Sequence, residues 1–157
     1  MVNQTLPEVP GKLQGCTNFK LRQLGRRVSQ RYDEELAKVG LKTTQFSLLS
    51  NVLNLGPIRP GDLARTMAMD ASTLTRNLKP LISAGWVDLG AGDDGRSRLV
   101  RITERGREKR LDAQHRWRVA QEAMNELLGA DRVIALHAMI DESMSLLAAT
   151  TPGAAHD

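Results

Sequence analysis

Ser72, Thr73, Thr75, Arg76, Asn77 and Lys79 lie within a segment whose apolar residues, Leu74, Leu78, Leu81 and Ile82, recur at helical spacing. A helix over this stretch turns the apolar residues inward. Its outer face then carries hydroxyls, an amide and cations, with no carboxylate among them. Hydroxyls and amides exchange hydrogen bonds with base edges, and cations neutralise phosphates, so this face suits a DNA major groove. Further along, Arg96 and Arg98 stand at or near a Gly-rich tip made by Gly90, Gly92 and Gly95 with Asp93 and Asp94. A long cation at such a tip reaches a phosphate backbone or a narrow minor groove.

Those residues need particular elements to position them. Asp62 to Met67 reads as a short helix with Leu63, Ala64 and Met67 on one face, and Met69 to Ala71 as a turn. Asp70 is an N-cap for the next helix, because its carboxylate can accept the free amides of Ser72 and Thr73. Gly85 stops that helix. Trp86 to Leu89 and Arg98 to Ile102 are strand-like arms on either side of the tip. The order is that of a helix-turn-helix followed by a β wing, in a chain that is otherwise mainly α.

The same residues carry a family resemblance. Asp70, Thr73, Thr75-Arg76, Leu81, Gly85 and Val87, then Asp94-Gly95-Arg96, Val100, Ile102-Thr103 and Gly106, resemble the signature of the MarR family of winged-helix transcriptional regulators, at consistent spacing over about residues 21–147. Leu41 and Thr44-x-Phe46 are also positions that the family pattern favours. The resemblance implies a homodimer on a pseudo-palindromic operator of double-stranded DNA, usually a repressor, released by a small molecule or by thiol oxidation. It also implies that Asp94 accepts the Arg96 guanidinium and holds it extended.

The chain has 157 residues, enough for one domain with a real core. One MarR-type domain over 1–157 is expected, with a DNA-binding part at about 41–103 and dimerisation helices at about 17–40 and 104–149. The formal charge is +4 and the pI about 9.6, with the cations concentrated ahead of an acidic last part. No apolar run is long enough to span a membrane. The first residues, interrupted by Glu8 and Pro10, do not read as a signal peptide. The single cysteine cannot form an internal disulfide, which fits a reducing cytoplasm. Cys16, His115, His137 and His156 lack zinc spacing, so no metal site is expected, and no cofactor motif or catalytic constellation stands out.

Taken in order, residues 1–15 read as an arm that orders only against a partner. Leu21, Leu24, Val28, Tyr32, Leu36 and Val39 then define a helix stopped by Gly40, with a stripe long enough to serve a dimer interface. Thr43 or Thr44 is expected to cap the next helix, which stops at Gly56-Pro57. Pro60 fits the first turn of the helix after it. Pro80, inside the recognition helix, should remove a bond to the Arg76 carbonyl and loosen the last turn. A long helix from Thr103 to about Leu128 has Leu111, Val119, Ala123, Met124, Leu127 and Leu128 as apolar positions, with Trp117 free to cover a neighbouring chain. Asp131 should cap a last helix carrying Val133, Leu136, Ile140, Met144 and Leu147, followed by a frayed tail from Thr150.

Two kinds of signal remain open. In a hydroperoxide-sensing branch of the family, a cysteine immediately precedes a Phe at the start of the first helix, and a Tyr further along stabilises its thiolate. Phe19 and Tyr32 correspond, but Asn18 holds the place of that cysteine, and Cys16 lies two residues early. A thiol at a helix start near Lys20 still has surroundings of the activating kind. Alternatively Tyr32, His115 and Trp117 line a pocket for a small aromatic or phenolic effector. A helical protein-interaction module without DNA function is the further alternative, in which Arg76 and Lys79 are merely solvated.

Overall fold

A computed structural model describes residue 11 and residues 14–150. The arm expected before Gly15 and the tail expected after Thr150 lie almost wholly outside the described residues. The elements run α1 (Thr17–Leu36), α2 (Thr43–Leu55), α3 (Pro60–Thr66), α4 (Ala71–Ser83), β1 (Val87–Ala91), β2 (Arg98–Ile102), α5 (Glu104–Leu128) and α6 (Ala130–Thr150). A 3-10 turn, Ala37–Val39, extends α1 to Gly40, whose left-handed backbone (φ 73°) turns the chain into α2. The architecture is mainly α with a small antiparallel wing. None of the described helices is long and apolar enough to cross a membrane.

The core lies where α2, α3 and α4 pack on the wing root and on α5. Leu48, Leu49 and Val52 of α2, Leu63 of α3, Leu74 and Leu81 of α4, Val87 and Val100 of the strands and Ala113 of α5 are all buried, joined by Leu36 from the end of α1. In the wing, Val87 pairs with Ile102 and Leu89 with Val100. Ile58, just ahead of α3, exchanges backbone bonds with Val100 and so ties the helix-turn-helix to the sheet. Thr103 caps α5 through its hydroxyl, which accepts the Gly106 amide and donates to the Gly85 carbonyl.

Several expectations are corrected. Neither Thr43 nor Thr44 caps α2. Lys42 is its N-cap, with the Lys42 amide donating to Gln45 Oε1, while the Thr43 amide and hydroxyl both donate to Asp33 Oδ1 of α1. The tight turn at Gly40 brings the two helices close enough for a carboxylate of one to cap the other. Ile82 is 38% exposed, because Leu74, Leu78 and Leu81 already fill the inward side of α4. Leu111 is 70% exposed; the buried row of α5 is Gly106, Ala113 and Ala120, small residues that let this helix approach its neighbours closely. α6 begins at Ala130, which leaves Asp131 inside the first turn rather than at the cap. Trp117 is half-buried and stacks on Phe46 of its own chain.

α6 has no buried residue, and Ile134, Met139, Ile140, Met144 and Leu146 are exposed along it. At the other end Phe19, Leu21 and Leu24 of α1 are exposed too. Both terminal helices thus keep apolar faces that the single chain does not cover.

Candidate nucleic-acid interface

α4 is built to present its outer face. Asp70, its N-cap, accepts the Thr73 amide at 2.7 Å, the Ser72 hydroxyl at 2.7 Å and the Thr73 hydroxyl at 2.9 Å. These bonds, the Ser72 hydroxyl first, hold the carboxyl down to about pKa 2. The helix runs unbroken through Pro80 to Ser83, because only the last turn loses a bond. It closes with Trp86 N donating to Leu81 O and Gly85 N to Ile82 O, with Gly85 at φ 73°. Ser72, Thr75, Arg76 and Lys79 are exposed, while Thr73 and Asn77 are half-buried at the edges of that face. Thr75 donates its hydroxyl hydrogen to Ala71 O, so towards a ligand it offers a lone pair and a methyl group. Asn77 Nδ2 lies 3.9 Å from Met69 Sδ and braces the turn. The charged groups of Arg76 and Lys79 have no hydrogen bond or ion pair among the described residues.

The wing tip corrects one inferred role. Asp94 Oδ1 accepts the Arg96 amide (3.0 Å), the Ser97 amide (2.8 Å) and the Ser97 hydroxyl (2.6 Å), and does not hold the Arg96 guanidinium. Ser97, with both its hydroxyl and its amide, is the main cause that brings the Asp94 carboxyl to about pKa 2. Gly92 N donates to Ser97 O and Gly95 N to Gly92 O, so the tip is a bonded turn from which the Arg96 side chain projects without a partner among the described residues. Arg98 folds back, with Nη2 donating to Leu89 O at 3.2 Å, and Arg101 reaches Ala91 O in the same way. Sequence reasoning put Arg96 and Arg98 on one footing; strand pairing separates them, since Arg98 sits opposite Ala91 inside the sheet.

The four residues named for signal sensing do not converge. Cys16 is exposed at the N-cap of α1, with no side-chain bond among the described residues. Tyr32 donates to Gln121 Oε1 of α5 at 2.6 Å, and His115 is exposed on α5. Trp117 stacks on Phe46, centroids 6.1 Å apart, and lines a cleft of about 260 Å³ between α2 and α5. That cleft also holds Ser50, Asn51, Arg110 and Gln114, which sequence reasoning missed because their order along the chain carries no motif. Arg110 lies over the Phe46 ring and its Nε donates to Ser50 Oγ at 3.2 Å. Gln114 Oε1 is buried without a hydrogen-bond partner among the described residues.

Comparison with known proteins fits this arrangement of α3, α4 and wing. A sequence profile described as MarR family matches residues 39–97. The multiple antibiotic resistance protein MarR of Salmonella typhimurium is 31% identical over 109 residues, covering 67% of this chain and 74% of that protein. The chain belongs to the MarR family of DNA-binding transcriptional regulators. Another relative is the HTH-type transcriptional regulator YwoH of Bacillus subtilis, 30% identical over 90 residues, a match that spans 57% of this chain and 66% of YwoH. Among solved structures, the M. tuberculosis transcriptional regulator MosR in complex with DNA superposes with a TM-score of 0.68 at 30% identity, over 83% of this chain and 98% of that one.

Proposed function

We propose that this MarR-family protein is a homodimeric repressor whose α4 enters the major groove of an inverted-repeat operator. Ser72, Thr73, Thr75, Arg76, Asn77 and Lys79 meet bases and phosphates, and Arg96 reaches the adjacent backbone or minor groove from the wing. Asp94 shapes the tip, and Arg98 stiffens the wing while adding positive charge. The observation that carries this reading is the division of charge along α4 and the wing tip. The carboxylates of Asp70 and Asp94 are both engaged by their own turns, whereas Arg76, Lys79 and Arg96 have no partner among the described residues. The relative MosR is described in complex with DNA, which supports the same partner here.

The exposed apolar faces of α1 and α6 suit a second copy of the chain. The cleft between α2 and α5 suits a small aromatic acid as the releasing effector, since the Arg110 cation and the stacked Phe46 and Trp117 rings line it together with the amide side chains of Asn51 and Gln114. The decisive experiment selects bound fragments from genomic DNA and compares wild type with Arg76→Ala on the fragments recovered. Arg76→Ala should lose about 1–3 kcal/mol at one base position and relax preference there. An equal loss on every sequence would reduce Arg76 to a phosphate contact, and recovery of no preferred fragment would overturn the reading.

A further inference from the structure

Beside α4 lies a notch of about 160 Å³, formed by the first turn of α2 and the middle of α4 and lined by Lys42, Thr44, Gln45, Arg76, Asn77 and Pro80. Among the described residues no carboxylate lines it. Lys42 and Thr44 are exposed, and the Lys42 ammonium, like the Arg76 guanidinium, has no partner among the described residues. The start of α2 is not itself the feature of interest: the Thr43 amide and hydroxyl are already taken by Asp33, and the Lys42 amide by Gln45. What remains is a pair of cations from two different helices facing one polar notch. Left empty, such a pair repels; an anion between them relieves the repulsion.

We infer that Lys42, assisted by the Thr44 hydroxyl, is a further DNA contact that grips a backbone phosphate at the rim of the groove α4 enters. The inference rests on the reading of α4 as the recognition helix. A B-DNA major groove is about 12 Å wide and a helix with its side chains about 10–12 Å across, so a seated helix has a phosphate strand along each flank. The residue placed to meet that strand is one on an element packed against the flank of α4, and Lys42 is such a residue. Standing off the groove face, Lys42 carries no base information and fixes register, while Arg76, on α4 itself, reads inward from the same notch.

The test is a salt titration of full-length protein by fluorescence anisotropy, on a selected genomic fragment and on an unrelated duplex of equal length. Lys42→Ala should make the slope of log K against log salt shallower by about 0.9 per subunit on both duplexes. It should also leave the ratio of the two affinities unchanged, and Lys42→Arg should restore the wild-type slope. An unchanged slope in Lys42→Ala places Lys42 outside the interface. A loss confined to the selected fragment makes it a base contact and overturns the phosphate assignment. Wild-type protein that binds neither duplex removes the groove reading of α4, and Lys42 with it.

Discussion

Asp33 on α1 caps α2 from outside that helix: its Oδ1 accepts the Thr43 amide at 2.6 Å and the Thr43 hydroxyl at 2.7 Å. The bond joins α1 to α2, and it satisfies a donor that α2 cannot satisfy internally. Asp33→Ala should therefore destabilise the fold by about 0.5–2 kcal/mol, the ordinary cost of a lost N-cap. Denaturant unfolding gives the value directly; a midpoint equal to that of wild type would mean that water replaces the carboxylate without loss.

Gly106 makes the closest approach of α5 to the wing. A Cβ there would lie 2.0 Å from the Trp86 carbonyl oxygen and 2.8 Å from Ile102 Cγ1. Backbone cannot yield as a flexible side chain does, so Gly106→Ala must push α5 away from the root of β1. The expected cost is about 1–3 kcal/mol, as for an overpacked core. Weaker DNA binding should accompany it, because the same root positions Arg96. Wild-type stability in this variant would show that the contact relaxes freely.

Asp70 predicts a pH dependence of definite sign. Its carboxyl is held at about 2 when folded, chiefly by the Ser72 hydroxyl and the Thr73 amide, against about 3.9 in an unfolded chain. A depressed carboxylate contributes stability that is present above the unfolded value and fades as the pH falls through the folded one. The stability gap between wild type and Asp70→Ala should thus hold from neutral pH to about 4 and narrow between about 4 and 2. A gap independent of pH across that window would contradict the capping role.

The parts of this architecture that were legible in the sequence are those fixed by local chemistry. Asp70 caps because an N-cap acts within three residues, and Gly85 stops α4 because left-handed backbone favours glycine. The misreadings share a different cause. The cap of α2 comes from Asp33, ten residues upstream, and the inward row of α5 consists of Gly106, Ala113 and Ala120, whose small size gives no hydrophobic signal. The α2/α5 cleft joins Ser50 to Arg110 across 60 positions, a distance no spacing rule covers. Asp94 was rightly placed at a turn, but which Arg96 donor it meets depends on the tip geometry.

The uncovered face of α6 leads to a prediction about assembly. Ile140 is 41% exposed in the single chain, where a polar substitution costs little, usually within about 0.5 kcal/mol. In a dimer that buries this face, Ile140→Glu places an unpaired charge in apolar surroundings. Sedimentation should then report a folded monomer and DNA binding should fall with it, since two recognition helices about one DNA turn apart require both subunits. A variant that stays dimeric would move the interface off α6.

The last prediction separates the two kinds of signal. The α2/α5 cleft sets the Arg110 cation beside the stacked Phe46 and Trp117 rings and leaves the buried Gln114 Oε1 without a donor. A ring bearing a carboxylate and a hydroxyl matches these features, with the carboxylate on Arg110 and the hydroxyl donating to Gln114 Oε1 once that side chain turns toward the cleft. Cys16 is the only cysteine of the chain, exposed at the start of α1 and without a side-chain bond among the described residues. Hydroxybenzoates added to the protein–DNA complex should therefore release DNA from wild type and from Cys16→Ser alike. Arg110→Ala should stay bound, because a ligand shifts an equilibrium only by its differential affinity and this variant removes the anchor. If peroxide instead releases wild type but not Cys16→Ser, with recovery on reduction, the signal is thiol oxidation and the cleft is packing.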